Sequence, residues 1–169
     1  MRRGLLLTMT EPPPGMEDEF NAWYDQEHFP ERLAIPGFRS ARRWVGDGPP
    51  GAGRYLATYE LDSADVLESP AYLARLNSPT PWSRRCLASC VLFRRWAREQ
   101  RSPGDADPRA DAGALLLGLG PVEPAAGPAG VLQSRKFFDP KGEPAWAVLH
   151  EVAGAAPTAT AGLLLYKAY

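Results

Sequence analysis

The order of strand and helix patterns in the first hundred residues is the strongest constraint on the fold of this chain. Short apolar or alternating runs predict four strands, at residues 4–10, 38–45, 55–61 and 87–96. Residues 16–29 open with three acids, which suit the N-terminus of a helix, and predict a first helix. A second helix is predicted at 63–77, bent or restarted at Pro70. The predicted order is therefore β-α-β-β-α-β.

This order is typical of a ferredoxin-like α+β unit, in which two helices cover one face of a four-stranded antiparallel sheet. The other face must also be covered, because a sheet buries its apolar face against another element. Residues 101–112 have the Pro, Gly and Asp content of a linker, and a second strand-rich part follows. We predict a ferredoxin-like unit at 1–100, a linker at 101–112 and a second unit at 113–169.

The second unit shows strand patterns but little helical pattern. Its strand-like runs lie at residues 114–119, 131–138, 145–152 and 163–169. The intervals that would hold helices in a ferredoxin-like unit consist mostly of Ala, Pro and Gly. Two interpretations are open: a reduced second repeat whose sheet completes an α/β barrel within one chain, and a plain antiparallel meander. We favour the first, with about eight strands and long helices only at 16–29 and 63–77.

Charge and composition limit the classes of partner. The chain has 169 residues with 19 basic and 20 acidic side chains, a balance that gives no electrostatic reason to expect nucleic acid or an anionic membrane. The apolar run at 5–7 is too short for a secretory core, and no run is long enough to span a bilayer. These features predict a cytoplasmic protein that binds neither nucleic acid nor a membrane.

The sequence offers no cofactor or metal motif. It contains no phosphate-binding loop, dinucleotide fingerprint or zinc-ligand spacing, so we predict that the protein uses neither a cofactor nor a metal. Cys86 and Cys90 lie four residues apart in a predicted strand, so they are expected to share one of its faces but to be too far apart along it to pair easily. Buried free thiols are therefore predicted.

One of only two histidines, His28, follows an aromatic and acidic cluster in the first helix. Steps of four residues place Phe20, Tyr24 and His28 on one helical face, with Asp25 three residues before the histidine. Pro30 is predicted to end the helix directly afterwards. Imidazoles titrate near neutral pH, so His28 is a candidate general acid or base that Asp25 would orient. The alternative, which spacing alone favours, is a structural histidine packed on Tyr24.

The other candidate site residues are polar or aromatic and would bind substrate; they are Asn21, Trp23, Tyr24, Arg42, Glu60 and Trp82. Alternation places Arg42 and Glu60 on adjacent strands inside the barrel, where Arg42 either pairs with Glu60 or holds a ligand carboxylate or phenolate. Thr8 and Ser89 are predicted to face the same interior. Trp82 is predicted on a loop, and the second histidine, His150, is predicted to be structural.

The stretch 20–44, with 55–61 and 69–72, resembles the dimeric α/β-barrel superfamily, and within it the EthD-like and related uncharacterised bacterial proteins. The shared feature is a first helix with an aromatic and acidic cluster and a His-x-Pro near its end, here His28-Phe29-Pro30. The resemblance covers residues 4–97. It implies two sheets face to face, enclosing a pocket for a small organic molecule. The second half carried by this chain weakens the homodimer that the resemblance otherwise implies.

Two functions are compatible with these observations. Relatives in this superfamily include lactone isomerases, polyketide cyclases and cofactor-free oxygenases, as well as members without known activity. The first hypothesis is a cofactor-independent isomerase, cyclase or lyase in which His28 moves a proton. The second is a non-catalytic ligand-binding or accessory protein; a purely structural module is a third. An enclosed cavity reached by His28 would favour the first, and a filled barrel with His28 outside it would favour the second.

Overall fold

The structure, a computed structural model, describes residues 2–49, 51–154 and 162–169. Within these residues the strands are β1 Gly4–Glu11, β2 Phe38–Gly46, β3 Tyr55–Leu61, β4 Val91–Ser102, β5 Ala114–Gly120, β6 Gln133–Phe138, β7 Trp146–Val152 and β8 Leu164–Ala168. They form one closed antiparallel barrel in the order β1-β3-β2-β8-β5-β7-β6-β4. The predicted α+β class and the barrel within a single chain are confirmed.

The two halves of the barrel follow the same strand order. The first half runs β4-β1-β3-β2, and the second runs β8-β5-β7-β6. A meander would pair each strand with the next along the chain, but β5 pairs with β7 and β8, while β6 pairs with β7 and β4. The meander interpretation of the second half is therefore wrong.

The first helical segment continues past Pro30, so the prediction that this proline ends the helix is wrong. Helix α1 spans Glu17–Trp23, a π-helical turn spans Tyr24–His28, and α2 spans Phe29–Leu33. A proline within an α-helix clashes with the carbonyl four residues earlier. The wider π-turn changes the backbone hydrogen-bond register of the helix directly before Pro30. Pro30 therefore lies in the first turn of α2, where proline is tolerated.

The second helical region divides as predicted at Pro70, into a 3₁₀ turn at Ala64–Glu68 and helix α3 at Pro70–Asn77. A further helix, α4 at Pro81–Ser89, occupies residues that the sequence analysis assigned to a loop and a strand. Its start has a recognisable signature, because the Thr80 hydroxyl accepts a hydrogen bond from the Ser83 amide and proline follows Thr80.

The presence of α4 corrects three further predictions. Cys86 lies within this helix and Cys90 directly after it, so the two cysteines do not share a strand face. Both are free thiols, with Cys86 buried and Cys90 partly buried. Ser89 ends the helix instead of facing the barrel interior. Trp82 lies on the helix and not on a loop.

The barrel interior is filled by side chains. Alternate residues of the strands point inward and form one apolar cluster that includes Leu7, Leu56, Leu117, Phe137 and Leu149. The opposite face of β3 packs under the helices, as the alternation predicts. Thr8, which alternates with the inward leucines, faces the helices instead of the interior, so its predicted position is wrong.

The second half has no helix among its described residues after 112. Part of its outer face is covered by irregular chain, in which Val131 and Leu163 pack on a small cluster around Leu116. The predicted loop at 153–162 lies largely outside the described residues. The segment predicted as a linker packs on the barrel rim, where Asp107 binds Arg39 at 3.0 Å.

Gly4 marks a close approach between β1 and the 3₁₀ turn. A Cβ atom at this residue would lie 2.6 Å from the backbone of both Ser63 and Ala64, which cannot move aside as a flexible side chain can. We expect Gly4→Ala to lower the free energy of unfolding by about 1–3 kcal/mol, measured by urea denaturation. Gly120→Ala is the matched control, because its nearest contact would be 3.8 Å away. Equal effects of the two substitutions would contradict the proposed clash.

Candidate functional site

A cavity of about 200 Å³ lies outside the barrel, between the helices and the outer face of the first-half sheet. We call it the outer pocket. Its walls are largely aromatic, formed by Phe20, Trp23, Tyr24, Tyr59 and Tyr72, with leucines around them. Its polar lining consists of Thr8, Thr10, His28, Arg32 and Arg95. The helix face that the sequence analysis singled out therefore borders a cavity, although this cavity is not the barrel interior.

The π-helical turn positions both Tyr24 and His28 against the outer pocket. Their ring centroids are 5.0 Å apart, and the centroid of the Trp23 ring lies 4.3 Å from that of the imidazole and 4.9 Å from that of Tyr24. Only 8% of His28 is exposed. Burial, with a smaller contribution from the positive charge of Arg32, lowers the pKa of His28 to about 3. The imidazole is therefore neutral at physiological pH.

Asp25 does not orient His28, contrary to the prediction. Its carboxylate is more than half exposed and lies 3.5 Å from the guanidinium of Arg43, on another side of the helix. Asn21 also accepts a hydrogen bond from Arg43. The buried Arg43 guanidinium is in turn surrounded by aromatic rings, the nearest being Tyr169 at 4.0 Å. Asn21 and Asp25 thus help to hold Arg43 and are absent from the lining of the outer pocket.

Arg42 and Glu60 both face the barrel interior, as predicted, but their predicted ion pair is wrong. Arg42 donates to the backbone carbonyls of Arg109 and Ala112 at 3.0 and 2.8 Å. Glu60 accepts two hydrogen bonds of 2.8 Å from Arg135, which also binds Glu151 at 2.8 Å. The cavity beside this network measures about 10 Å³, room for one water at most.

The two tryptophans among the candidates have different positions. Trp23 lines the outer pocket and donates through its indole N–H to the Ser83 hydroxyl at 3.1 Å. Ser83 and Thr80 both donate to the carboxylate of Glu27, at 2.9 and 2.6 Å, which ties α4 to the π-turn. Trp82 packs against the helix-side core but is absent from the pocket lining. Trp23, Tyr24 and His28 are therefore the predicted site residues that the structure brings together.

Several lining residues were not identified from the sequence. Thr8 and Tyr59 each carry a buried hydroxyl that lies near the Tyr24 hydroxyl but makes no well-formed hydrogen bond among the described residues. Arg32 carries a buried nitrogen without a hydrogen-bond partner among the same residues. Burial raises the pKa of Tyr59 well above its usual value, so its hydroxyl stays protonated. Arg32 follows His28 by four residues, a spacing that could have identified it. Arg95 had no such signal, because it faces Thr8 only through the β1–β4 register.

The second histidine lies in a different setting. His150 on β7 is 3% exposed, and its Nδ1 is 2.8 Å from the Ser134 hydroxyl oxygen. Burial, and secondly the charge of Lys136, lowers the pKa of His150. The backbone at Gly127 approaches the ring so closely that a Cβ atom there would be 2.6 Å from Nδ1. His150 and Gly127 both line a second cavity, of about 430 Å³.

Two general features of the described residues bear on function. They contain no group of three metal-ligating side chains. None of their helices combines the length and the apolar character needed to cross a membrane.

Comparison with known proteins detects the fold and no close relative. No family model matches the sequence, and no curated protein matches it. A solved structure described as "Putative Chlorite dismutase" aligns with 100% of this chain and 95% of its own, with a TM-score of 0.64 and 10% identity. A heme-binding protein from Thermus thermophilus covers 99% of this chain and 91% of its own, with a TM-score of 0.54 and 12% identity. These likenesses establish a shared fold.

An EthD family protein from Bacillus halodurans aligns with 55% of this chain and 95% of its own, with 17% identity and a TM-score of 0.39. A score of this size does not support a structural argument. The predicted α/β-barrel fold thus agrees with the fold of the first two structures, while the narrower EthD-like assignment stays a prediction.

Proposed function

We propose that the outer pocket binds a small, mainly apolar organic molecule with a single ring. The observation that carries this proposal is the cavity itself, about 200 Å³ between aromatic walls. An apolar cavity of about 150 Å³ accommodates benzene, whereas drug-sized ligands need about 300–1,000 Å³. The Thr8 and Tyr59 hydroxyls, which make no well-formed hydrogen bond of their own among the described residues, supply hydrogen-bonding groups to such a ligand.

The state of His28 favours binding over acid–base catalysis. A general acid or base works best when its pKa is near the working pH. With its pKa lowered to about 3, the imidazole of His28 is not in its cationic form at neutral pH, so it is a poor general acid and a weak base. Its neutral ring supplies one donor and one acceptor to a bound ligand. The isomerase, cyclase or lyase hypothesis would require the ligand to raise this pKa on binding.

A haem does not fit the outer pocket. Haem iron in proteins is commonly held by a histidine. His28 borders a cavity of only about 200 Å³. His150 lines a separate cavity of about 430 Å³ and contacts Ser134 through Nδ1. The binding partner named for the Thermus protein is therefore not proposed for the outer pocket.

The second half is proposed to be a reduced ferredoxin-like repeat of the first. Its support is the identical strand order of the two halves. We also propose an EthD-like origin of the first half, because the His28-Phe29-Pro30 segment resembles the His-x-Pro of those proteins.

Neutral single-ring compounds test the proposed function. We expect phenol and toluene to raise the melting temperature of the protein and to change the fluorescence of Trp23. Thr8→Leu, which places a larger side chain in the pocket, is expected to weaken binding at least about tenfold. Ala97→Leu is the control, since Ala97 lines a separate groove. Binding that survives Thr8→Leu would rule out the outer pocket as the site.

A further inference from the structure

The charges around the outer pocket are unbalanced. Arg32 and Arg95 line it, and no aspartate or glutamate does so in the described part of the chain. Neither arginine has an ion-pair partner among residues 2–49, 51–154 and 162–169, whereas surface arginines such as Arg39, Arg54 and Arg85 are paired. The remaining residues contain no acid, so the chain itself has no further carboxylate to offer.

Tyr72 brings the two guanidinium groups to one wall of the pocket. Arg95 donates to the Tyr72 hydroxyl at 2.9 Å. The guanidinium carbon of Arg32 lies 5.4 Å from the centre of the same ring. Thr8 stands directly opposite Arg95 across the β1–β4 ladder, so its hydroxyl belongs to the same region of the pocket.

Arg32 also contains a buried nitrogen, Nη1, without a hydrogen-bond partner among the described residues. An unpartnered buried donor on a charged group is costly, and a ligand that supplies an acceptor relieves that cost. Guanidinium groups bind planar carboxylates through two parallel hydrogen bonds, which are stronger than bonds between neutral groups.

We infer that the ligand of the outer pocket carries a carboxylate, bound by Arg32 and Arg95, on a ring that lies between Trp23, Tyr24 and Tyr59. This inference rests on the proposed function, because it names the chemical class bound at the same site. A cavity of about 200 Å³ has room for one ring with this substituent. The ligand class is therefore a small aromatic or alicyclic acid.

Isothermal titration calorimetry with benzoate and benzamide tests the inference, because these two probes match in shape and differ in charge. We expect benzoate to bind the unmodified protein at least about tenfold more tightly than benzamide. Arg32→Met and Arg95→Met should each reduce benzoate affinity about 10–100-fold and leave benzamide affinity unchanged. Arg94→Met is the matched control, since Arg94 is an exposed neighbour on β4 that does not line the pocket.

The comparison in the unmodified protein does not depend on the folding of any variant. Equal affinities for benzoate and benzamide would overturn the carboxylate assignment and leave the proposed pocket intact. If none of benzoate, benzamide, phenol and toluene binds, the proposed function is overturned as well. Tighter binding of phenyl phosphate than of benzoate would replace the carboxylate by a phosphate.

Discussion

Arg135→Met is expected to lower the free energy of unfolding by about 3–5 kcal/mol, measured by urea denaturation at pH 7. Arg135 is 2% exposed and binds the carboxylates of Glu60 and Glu151 inside the barrel. Methionine fills a similar volume but leaves two buried carboxylates without their cation. Removing one partner of a buried pair costs far more than removing a surface pair, because the remaining charge cannot regain water.

The matched control is Arg101→Met, which removes an arginine paired with Glu99 at the surface and should change stability by less than about 1 kcal/mol. A triple variant with Arg135→Met, Glu60→Gln and Glu151→Gln should be less destabilised than Arg135→Met alone, because no charge is then stranded. A loss from Arg135→Met as small as that from Arg101→Met would show that the network is not desolvated.

The stability of the protein is expected to fall steeply in mild acid because of His28. Its ordinary pKa of 6.5 applies to the unfolded chain, while burial lowers the pKa in the folded protein to about 3. Between these values the unfolded state binds a proton and the native state does not, so protons favour unfolding. The free energy of unfolding should therefore decrease by about 1.4 kcal/mol for each pH unit below pH 6.5. Above pH 6.5 neither state is protonated at His28, so this residue causes no pH dependence there.

Urea denaturation from pH 7.5 to 4.5 measures this slope. His28→Gln should remove it, so that the variant loses less stability than the unmodified protein at each step towards acid. His150→Gln is the control that keeps His28 and should retain most of the slope. Parallel pH profiles for the unmodified protein and His28→Gln would contradict the burial of a neutral imidazole. The same titration, repeated with bound benzoate, reports whether a bound acid raises the pKa of His28, as catalysis would require.

Local patterns predicted the parts of this fold that depend on neighbouring residues alone. The alternation along β3 correctly assigned Tyr55 and Tyr59 to the helix side and Glu60 to the barrel interior, because side chains of a strand point to opposite faces in turn. The restart at Pro70 was equally predictable. Helix α4 has a standard start signature at Thr80-Pro81, but the strand pattern predicted from Leu87 overlaps its last turn, so the sequence predicts a loop and a strand there.

Pro30 illustrates a local rule that the structure overrides. Proline ends most helices, but a π-turn from Tyr24 to His28 allows the chain to continue as α2. The consequence reaches the site, since the continued helix delivers Arg32 to the outer pocket. A helix that ended at Pro30 would have left this guanidinium outside.

Sequence alone determined that the chain has four plus four strands, which face of β3 lies under the helices, and that Phe20, Tyr24 and His28 share a helical face. Only the tertiary structure determined which side chains the charged residues contact. Glu60 and Arg135 are 75 residues apart and meet because the barrel closes, and Arg95 reaches Thr8 through the pairing of β1 with β4. Periodicity reports the face on which a side chain lies, whereas its partner across a sheet depends on strand order and register, which are properties of the closed barrel.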